Sequence, residues 1–157
     1  MIIRKGKPGD EEIILALIQQ KAKFDRGMKG FDGEISTDVT AIKNTITSST
    51  PFAAVLLAES NNRVIGFALY HFRYSSFKGQ PSIWLDDLLV ISSNRSKGVG
   101  QELMKALQLE ANLINASHIA WTASPNNKRG IDFYIRIGAN IDRYEGERPF
   151  FSLGLSA

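Results

Sequence analysis

The sequence of 157 residues contains no cysteine. This absence excludes disulfide bonds, zinc sites with thiolate ligands and catalysis through an acyl-cysteine intermediate. No apolar run approaches the roughly 18 residues that a membrane-spanning helix needs, so we expect no membrane partner. Because the segment 1–8 lacks the apolar stretch of a secretory signal, we expect a cytoplasmic protein.

Neither sign of charge dominates the chain. The 19 lysines and arginines exceed the 16 aspartates and glutamates by only three, so the composition does not predict nucleic-acid binding, which usually needs a concentrated basic face. The histidines and acidic residues have no metal-ligand spacing, and we expect no metal. An apolar content of 43% is ordinary for a globular chain, and the length of the chain predicts a single domain over residues 1–157.

Alternating and helical patterns predict an α/β fold with a mixed sheet, in the order β-α-α-β-β-β-α-β-α-β-β. The expected strands are residues 2–3, 53–59, 64–74, 83–91, 119–123, 139–144 and 150–155. Asp10 is the predicted cap of the first helix, and Ser36 or Thr37 that of the second. The three glycines of segment 27–33 predict a mobile loop.

The loop 94–100 between a predicted strand and a long helix is the strongest local signal. A helix start presents unpaired N–H groups and a partial positive charge, and Gly98 and Gly100 allow close backbone approach to an anion. Arg95 and Lys97 add positive charge. The spacing matches neither a Walker loop nor a dinucleotide fingerprint. The loop is therefore either a pyrophosphate cradle or an ordinary strand-to-helix turn.

Two motifs resemble the GCN5-related N-acetyltransferases (GNAT). Residues 95–100 (R-x-x-G-x-G) resemble the acetyl-CoA loop of that family, and residues 127–139 (N-x-x-G-x-x-F-Y-x-x-x-G-A) resemble its second motif. The resemblance implies the GNAT fold, a mixed and mostly antiparallel sheet of about seven strands flanked by about four helices. It also implies acetyl-CoA as co-substrate and, by analogy with relatives, a homodimer.

Segments 22–25, 65–74, 84–90 and 131–139 are similar to the diamine (spermidine/spermine) and thialysine acetyltransferase branch of this family. That similarity implies acetyl transfer to a primary amine of a small cationic acceptor: a polyamine, diamine or lysine analogue. The alternatives are a GNAT enzyme acting on a protein, amino acid or aminoglycoside amine, and a non-catalytic acyl-CoA-binding module.

The resemblance also implies roles for individual residues. Tyr134 is the implied general acid, and Phe24, Asp25 and Asp86 are the implied acceptor-pocket residues. The branch has glutamate where Asp25 and Asp86 stand, and glycine where Ser96 stands. The implied coenzyme-binding residues are Leu88, Leu89, Val90, Arg95, Ser96, Lys97, Gly98, Val99, Gly100, Gln101, Asn127, Lys128, Arg129 and Gly130.

The chemistry itself requires a neutral amine, because an ammonium has no lone pair for attack on a thioester. A lysine-like amine has a pKa of about 10.4, so only about 10⁻³ to 10⁻⁴ of it is neutral at pH 7. We expect Asp86 to act as the base through water, with direct attack in a ternary complex. Because strand side chains alternate, Asp86 and Asp87 should point to opposite faces and only Asp86 should reach the pocket. His71 is expected to be an ordinary strand residue.

Overall fold

The computed structural model describes residues 1–155. Over these residues the chain forms seven strands and four α-helices, as the family resemblance implies. The strands are β1 (Ile2–Lys5), β2 (Ala54–Ser60), β3 (Arg63–Ser75), β4 (Gln80–Val90), β5 (His118–Thr122), β6 (Asn140–Glu145) and β7 (Arg148–Gly154). The helices are α1 (Glu11–Gly27), α2 (Val39–Thr45), α3 (Val99–Leu113) and α4 (Lys128–Arg136).

The seven strands form one sheet in the order β1-β2-β3-β4-β5-β7-β6. Neighbouring strands are antiparallel except β4 and β5, which are parallel and pair only at Ile83 with Ile119 and at Trp84 with Ala120. The predicted mixed, mostly antiparallel sheet is therefore confirmed. After Trp84, the edge of β4 that faces β5 has no strand pairing, although it lies in the middle of the sheet.

Helices cover both faces of the sheet because its central strands place apolar side chains on each face in turn. Leu57 of β2 belongs to the core that contains Ile14 of α1. Its neighbour Leu56 belongs to the core that contains Leu103 of α3. Burying one such leucine stabilises the fold by about 1.5–3 kcal/mol relative to leaving it exposed. This packing holds β4, α3 and the end of α1 in fixed relative positions.

A bulge in β4 changes which way its acidic residues point. Leu85 pairs with Tyr70 of β3 and Asp87 pairs with Leu69, so Asp86 is an extra residue without a partner on β3. A bulge of this kind interrupts the alternation of side chains along a strand. The prediction that Asp86 and Asp87 point to opposite faces assumed a regular strand, and it is wrong for that reason.

The predicted helix caps also need correction. The carboxylate of Asp38, rather than Ser36 or Thr37, caps α2 by accepting a hydrogen bond from the N–H of Ala41 at 2.7 Å. Asp10 directly precedes α1, but its side chain makes no cap hydrogen bond. Its carboxylate instead accepts from Arg4 at 2.8 and 3.0 Å and from the N–H of Lys7 at 2.7 Å.

Candidate active site

Two cavities meet where β4 and β5 are unpaired. The larger, of about 480 Å³, lies between the end of β4 and the starts of α3 and α4. The smaller, of about 190 Å³, lies between β4, β5 and the end of α1. Three residues line both cavities: Leu88, Asn127 and Tyr134. The two cavities are therefore adjacent, and groups bound in them would lie close together beside these three residues.

The larger cavity contains the start of α3. Gly98 precedes this helix with φ of 83°, a left-handed conformation that favours glycine. The N–H of Glu102 donates to the carbonyl of Gly98 at 3.1 Å, so the preceding N–H groups of residues 99–101 have no partner within the helix. Ser96 adopts the same region, with φ of 63°, although it is not glycine. These donors fit a diphosphate group.

Most of the predicted coenzyme residues line this larger cavity. Lys97 and Lys128 do not; both are exposed and lie outside its lining. Phe24 lines this cavity rather than the smaller one, in which the resemblance implied it. The predicted residues found in the lining are Leu88, Leu89, Val90, Arg95, Ser96, Gly98, Val99, Gly100, Gln101, Asn127, Arg129 and Gly130.

The arginines of the larger cavity tie its walls together. Arg95 donates from Nε to the carbonyl of Val90 at 3.0 Å, and its guanidinium lies 5.1 Å from the ring centre of Phe24. Arg129 donates to the hydroxyl of Ser96 at 2.5 Å. The serine that replaces the family's loop glycine thus links the two motifs. The coenzyme residues predicted from the sequence do not include Phe133 or Arg136, but both line this cavity together with Asn94 of the loop 94–100.

The open edge of β4 supplies backbone donors. The N–H of Ile91 donates to the carbonyl of Ile65 on β3 at 2.9 Å. Because antiparallel pairs alternate, the N–H and carbonyl groups of Leu88 and Val90 point the other way, towards the unpaired edge. The Val90 carbonyl accepts from Arg95 there. The Leu88 N–H is left at the junction of the cavities, where it can donate to a bound oxygen.

The smaller cavity contains more charge than the sequence indicated. Asp86 and Asp87 both line it, together with Lys21, Asp25 and Arg148. The carboxylate of Asp25 pairs with the Lys21 ammonium at 2.6 Å. One of the predicted acceptor-binding carboxylates, that of Asp25, is therefore already paired with a lysine of the protein itself.

Asp86 also has a partner. Its Oδ2 lies 2.7 Å from Nδ1 of His71, a residue of the neighbouring strand β3. The sequence predicts an ordinary strand residue at His71, and nothing in the spacing links it to Asp86, 15 positions away. The side chain of Asp87, in contrast, makes no hydrogen bond or ion pair within the described part of the chain. Burial raises its pKa to about 6; Lys21 opposes this shift, and the charges of Asp86 and Asp25 add to it.

Tyr134 stands at the junction of the two cavities. Its ring packs on Trp121 and Phe151, with 5.1 Å between centres in each case, and on Phe133 at 5.6 Å. Burial raises its pKa to about 12, and the negative charges of Asp25 and Asp87 add to the shift. The hydroxyl is therefore protonated at neutral pH and able to donate a proton.

The second motif holds Tyr134 in place through the start of α4. The side chain of Asn127 caps that helix by accepting a hydrogen bond from the N–H of Gly130 at 3.0 Å. A Cβ at Gly130 would clash with the side chain of Asn127 unless that side chain shifted, which shows how closely the two residues approach. The asparagine and glycine of the motif thus set the position of the tyrosine one turn later.

The loop after α1 forms one wall of the smaller cavity. The carbonyl of Met28 accepts a hydrogen bond from the Asn126 amide at 2.8 Å. A Cβ at Gly30 would lie 3.1 Å from the side chain of Ser124, which shows how closely the loop approaches that residue. The predicted loop is therefore present and lines the cavity through Met28 and Gly30; its mobility stays a prediction.

The sheet is open between its central strands β4 and β5, and the two adjacent cavities lie at that opening. This combination is the one expected of an N-acetyltransferase. Residues 25–139 match the Acetyltransferase (GNAT) family, and the chain belongs to that family. This confirms the family and the enzyme class that the two motifs predicted. Within residues 1–155, no helix has the length and apolar character needed to cross a membrane. In the same residues, no group of three or more acidic or histidine side chains is placed to hold a metal ion.

Individual relatives agree with this assignment. Over 94% of its length the chain is 29% identical to thialysine N-epsilon-acetyltransferase of Bos taurus, and the match covers 94% of that protein. It is 26% identical, over 94% of its length, to human spermidine/spermine N(1)-acetyltransferase-like protein 1, of which the match covers 22%. A Bacillus anthracis protein assigned as a streptothricin acetyltransferase, solved in complex with acetyl coenzyme A, has the same fold. Its TM-score is 0.61 and its identity 19%, over 68% of this chain and 65% of that one.

Proposed function

We propose that the protein transfers an acetyl group from acetyl-CoA to the primary amine of a small acceptor by direct attack in a ternary complex. The junction of the two cavities at Leu88, Asn127 and Tyr134 is the observation that supports this proposal most strongly. The larger cavity offers helix N–H donors to a diphosphate, and the smaller offers carboxylates to an amine. Because the chain has no cysteine, a route through an acyl-cysteine is excluded.

Acetyl-CoA supplies the activated acetyl thioester. The unpaired N–H groups of residues 99–101 would hold its pyrophosphate, as helix N-termini hold anions elsewhere. The open edge of β4 from Leu88 to Val90 would hold the pantetheine arm. The N–H of Leu88 then donates to the thioester oxygen as that oxygen gains negative charge during attack.

Asp87 is the residue best suited to take the proton of the incoming ammonium. It lines the acceptor cavity and has no partner among the described residues. Its pKa of about 6 lies closer to that of the amine than an ordinary aspartate's does, which makes proton transfer less unfavourable. Asp86, held by His71, keeps its predicted role as a base through water as the second candidate for the proton acceptor.

Tyr134 donates a proton to the departing thiolate. A pKa of about 12 makes it a weaker acid than a free phenol. A thiolate formed beside Tyr134 is disfavoured by the same burial and the same carboxylates. This effect on the thiolate opposes the weaker acidity of the phenol and favours transfer of its proton.

The size of the acceptor cavity favours a small amine over the alternatives. Its volume of about 190 Å³ is below the roughly 300–1,000 Å³ of pockets for drug-sized ligands. The loop at Met28 and Gly30 closes one side of it. An aminoglycoside or a protein segment would need this loop to move away, whereas a diamine, polyamine end or lysine analogue would not.

The test is an assay with acetyl-CoA and a panel of diamines, polyamines, lysine, thialysine, an aminoglycoside and a lysine peptide. Free thiol is followed together with the mass of the acetylated product. We expect turnover with at least one small amine and much less with the peptide and the aminoglycoside. Tight CoA binding without acetylation of any amine would contradict the proposal and favour an acyl-CoA-binding module.

A further inference from the structure

A histidine outside the acceptor cavity contacts one of the carboxylates inside it. Nδ1 of His71 lies 2.7 Å from Oδ2 of Asp86. Asp86 lines the smaller cavity, whereas His71 does not. Any effect of the imidazole on a group bound in that cavity therefore passes through the Asp86 carboxylate.

The bulge in β4 makes this contact important for the direction of the carboxylate. Asp86 is the extra residue of the bulge and has no partner on β3, so the sheet holds it less firmly than its neighbours. Its side chain is partly exposed. Within residues 1–155, the hydrogen bond with His71 is the one polar contact of this side chain.

His71, in contrast, lies in a regular part of the sheet. It pairs with Trp84 of β4, and the next residue of β3, Phe72, pairs with Ile83. Residues opposite one another in an antiparallel pair place their side chains on the same face. The imidazole is therefore presented from a regular strand, two positions along β4 from Asp86, and reaches the carboxylate of the irregular one.

The chemistry of the pair assigns the donor. A carboxylate only accepts hydrogen bonds, so the hydrogen lies on Nδ1 of the imidazole. The neighbouring carboxylate differs, because the side chain of Asp87 has no partner in the described part of the chain. Burial raises the pKa of Asp87 to about 6, and the negative charge of Asp86 adds to this shift. One carboxylate of the cavity is thus held in a fixed direction beside another that is free to take a proton.

We infer that His71 is a positioning residue of the acceptor site, which donates a hydrogen bond to Asp86 and aims that carboxylate at the ammonium of the acceptor beside Asp87. This inference rests on the proposed function and deepens it. A fixed carboxylate binds a cation without first losing the freedom of its own side chain. The contribution of His71 is therefore to binding of the amine rather than to proton transfer.

The test measures KM and kcat separately for a small amine that the wild type acetylates. His71→Leu removes the donor, and KM for the amine should rise about 3- to 10-fold, the usual effect of having to order one side chain on binding. The value of kcat should stay within about twofold. His71→Asn places an amide N–H near the position of Nδ1 and should bring KM back to within about twofold of the wild type.

A double variant tests whether His71 acts through Asp86. Asp86→Asn removes the carboxylate that His71 holds. In Asp86→Asn the further change His71→Leu should raise KM by less than about twofold, because the two residues act as one unit. A full additional 3- to 10-fold rise would show that His71 acts by another route and would overturn the inference.

His118→Leu is the matched control. His118 is the second of the two histidines of the chain. It lies on β5 with Nδ1 2.8 Å from the hydroxyl of Ser117, and it lines neither cavity. KM for the amine should keep its wild-type value in this variant. CoA binding to each variant, measured by calorimetry, shows that the protein is folded.

The outcomes separate this inference from the proposed function. An unchanged KM in His71→Leu, or a raised KM that His71→Asn does not lower, would overturn the inference while leaving acetyl transfer established. No acetylation of any amine by the wild type, with CoA bound, would overturn both.

Discussion

Asp86 and Asp87 are consecutive residues of one strand, yet both line the same cavity. The bulge at Asp86 brings this about, because it shifts the register of β4 against β3 between Leu85 and Asp87. Only Asp86 has a side-chain partner, His71, among the described residues. The two carboxylates are therefore neighbours in space with different environments. Such a difference allows one of them, Asp87, to accept a proton while the other, Asp86, keeps its charge.

The first prediction concerns the proton acceptor. Asp87→Asn should lower kcat/KM by about 10²- to 10⁴-fold, the usual contribution of a general base. Asp87 has to be ionised to act, so kcat/KM of the wild type should rise as pH passes about 6. This limb of the pH profile, the rise near pH 6, should be absent in the variant. The measurement is a pH profile of kcat/KM for both proteins.

Asp86→Asn is the matched comparison for that profile. It removes the neighbouring carboxylate but leaves Asp87 in place, so the limb near pH 6 should remain and the loss should be smaller. A larger loss in Asp86→Asn than in Asp87→Asn would instead assign the proton acceptor to Asp86.

The second prediction concerns the effect of Asp87 on the free energy of unfolding. Its pKa is raised from 3.8 to about 6 in the folded protein, so the folded state holds the proton more tightly than the unfolded state. The free energy of unfolding should therefore fall as pH rises from about 4 to about 6. Asparagine does not ionise, and Asp87→Asn should be more stable by about 1–2 kcal/mol at neutral pH, a value discounted for partial exposure.

Urea unfolding at about pH 4 and about pH 8 measures this effect. The gain should be present at the higher pH and small at the lower one. A variant that is less stable than the wild type at the higher pH would show that Asp87 has a stabilising partner. Loss of activity together with a gain in stability is typical of a functional group held in an unfavourable environment.

The third prediction concerns Tyr134. Replacement by phenylalanine keeps the ring that packs on Trp121 and Phe151 and removes only the hydroxyl. Tyr134→Phe should lower kcat by about 10²- to 10⁴-fold while the affinity for CoA, measured by calorimetry, stays within about threefold. Equal activity of the two proteins would remove Tyr134 from the proton transfer.

The fourth prediction concerns the loop before α3. Gly98 has φ of 83°, and a Cβ placed there would meet nothing within 4 Å. Gly98→Ala therefore causes backbone strain without a clash, about 1–2 kcal/mol. If the loop relaxes to relieve that strain, the N–H groups of α3 turn away from the diphosphate. We expect CoA affinity to fall about tenfold.

Gly146→Ala is the control for backbone strain alone. Gly146 has φ of 59°, also with nothing within 4 Å of an added Cβ, and it lies in the turn between β6 and β7, away from the larger cavity. Both variants should lose similar stability, but only Gly98→Ala should lose CoA affinity. An equal loss of affinity in both would mean that the loop has no specific part in binding.

The fold was predictable because its signals are local. Alternating apolar residues marked the strands, and the period of 3.6 in the segment from Val99 to Ile114 marked α3. The glycines before that helix and the Asn127 cap act within a few residues of their own positions. Their function is thus visible in the spacing of the two motifs.

The acceptor site was less predictable because it depends on contacts between distant segments. The bulge at Asp86 follows from how β3 and β4 pair, and regular alternation gave the wrong face for Asp87. The pair of His71 and Asp86 spans 15 positions, and Arg148 belongs to no motif. Charge and the family resemblance both marked Lys97 as a coenzyme ligand, but it is exposed and lies outside the lining of the cavity.

The central claim is that acetyl donor and amine meet at the junction beside Tyr134 and react directly. Initial rates of thiol release, measured while acetyl-CoA and the amine are varied independently, test this most directly. The account predicts double-reciprocal lines that intersect, and no burst of thiol before the amine is added. Parallel lines with such a burst would show an acetylated enzyme and contradict the account.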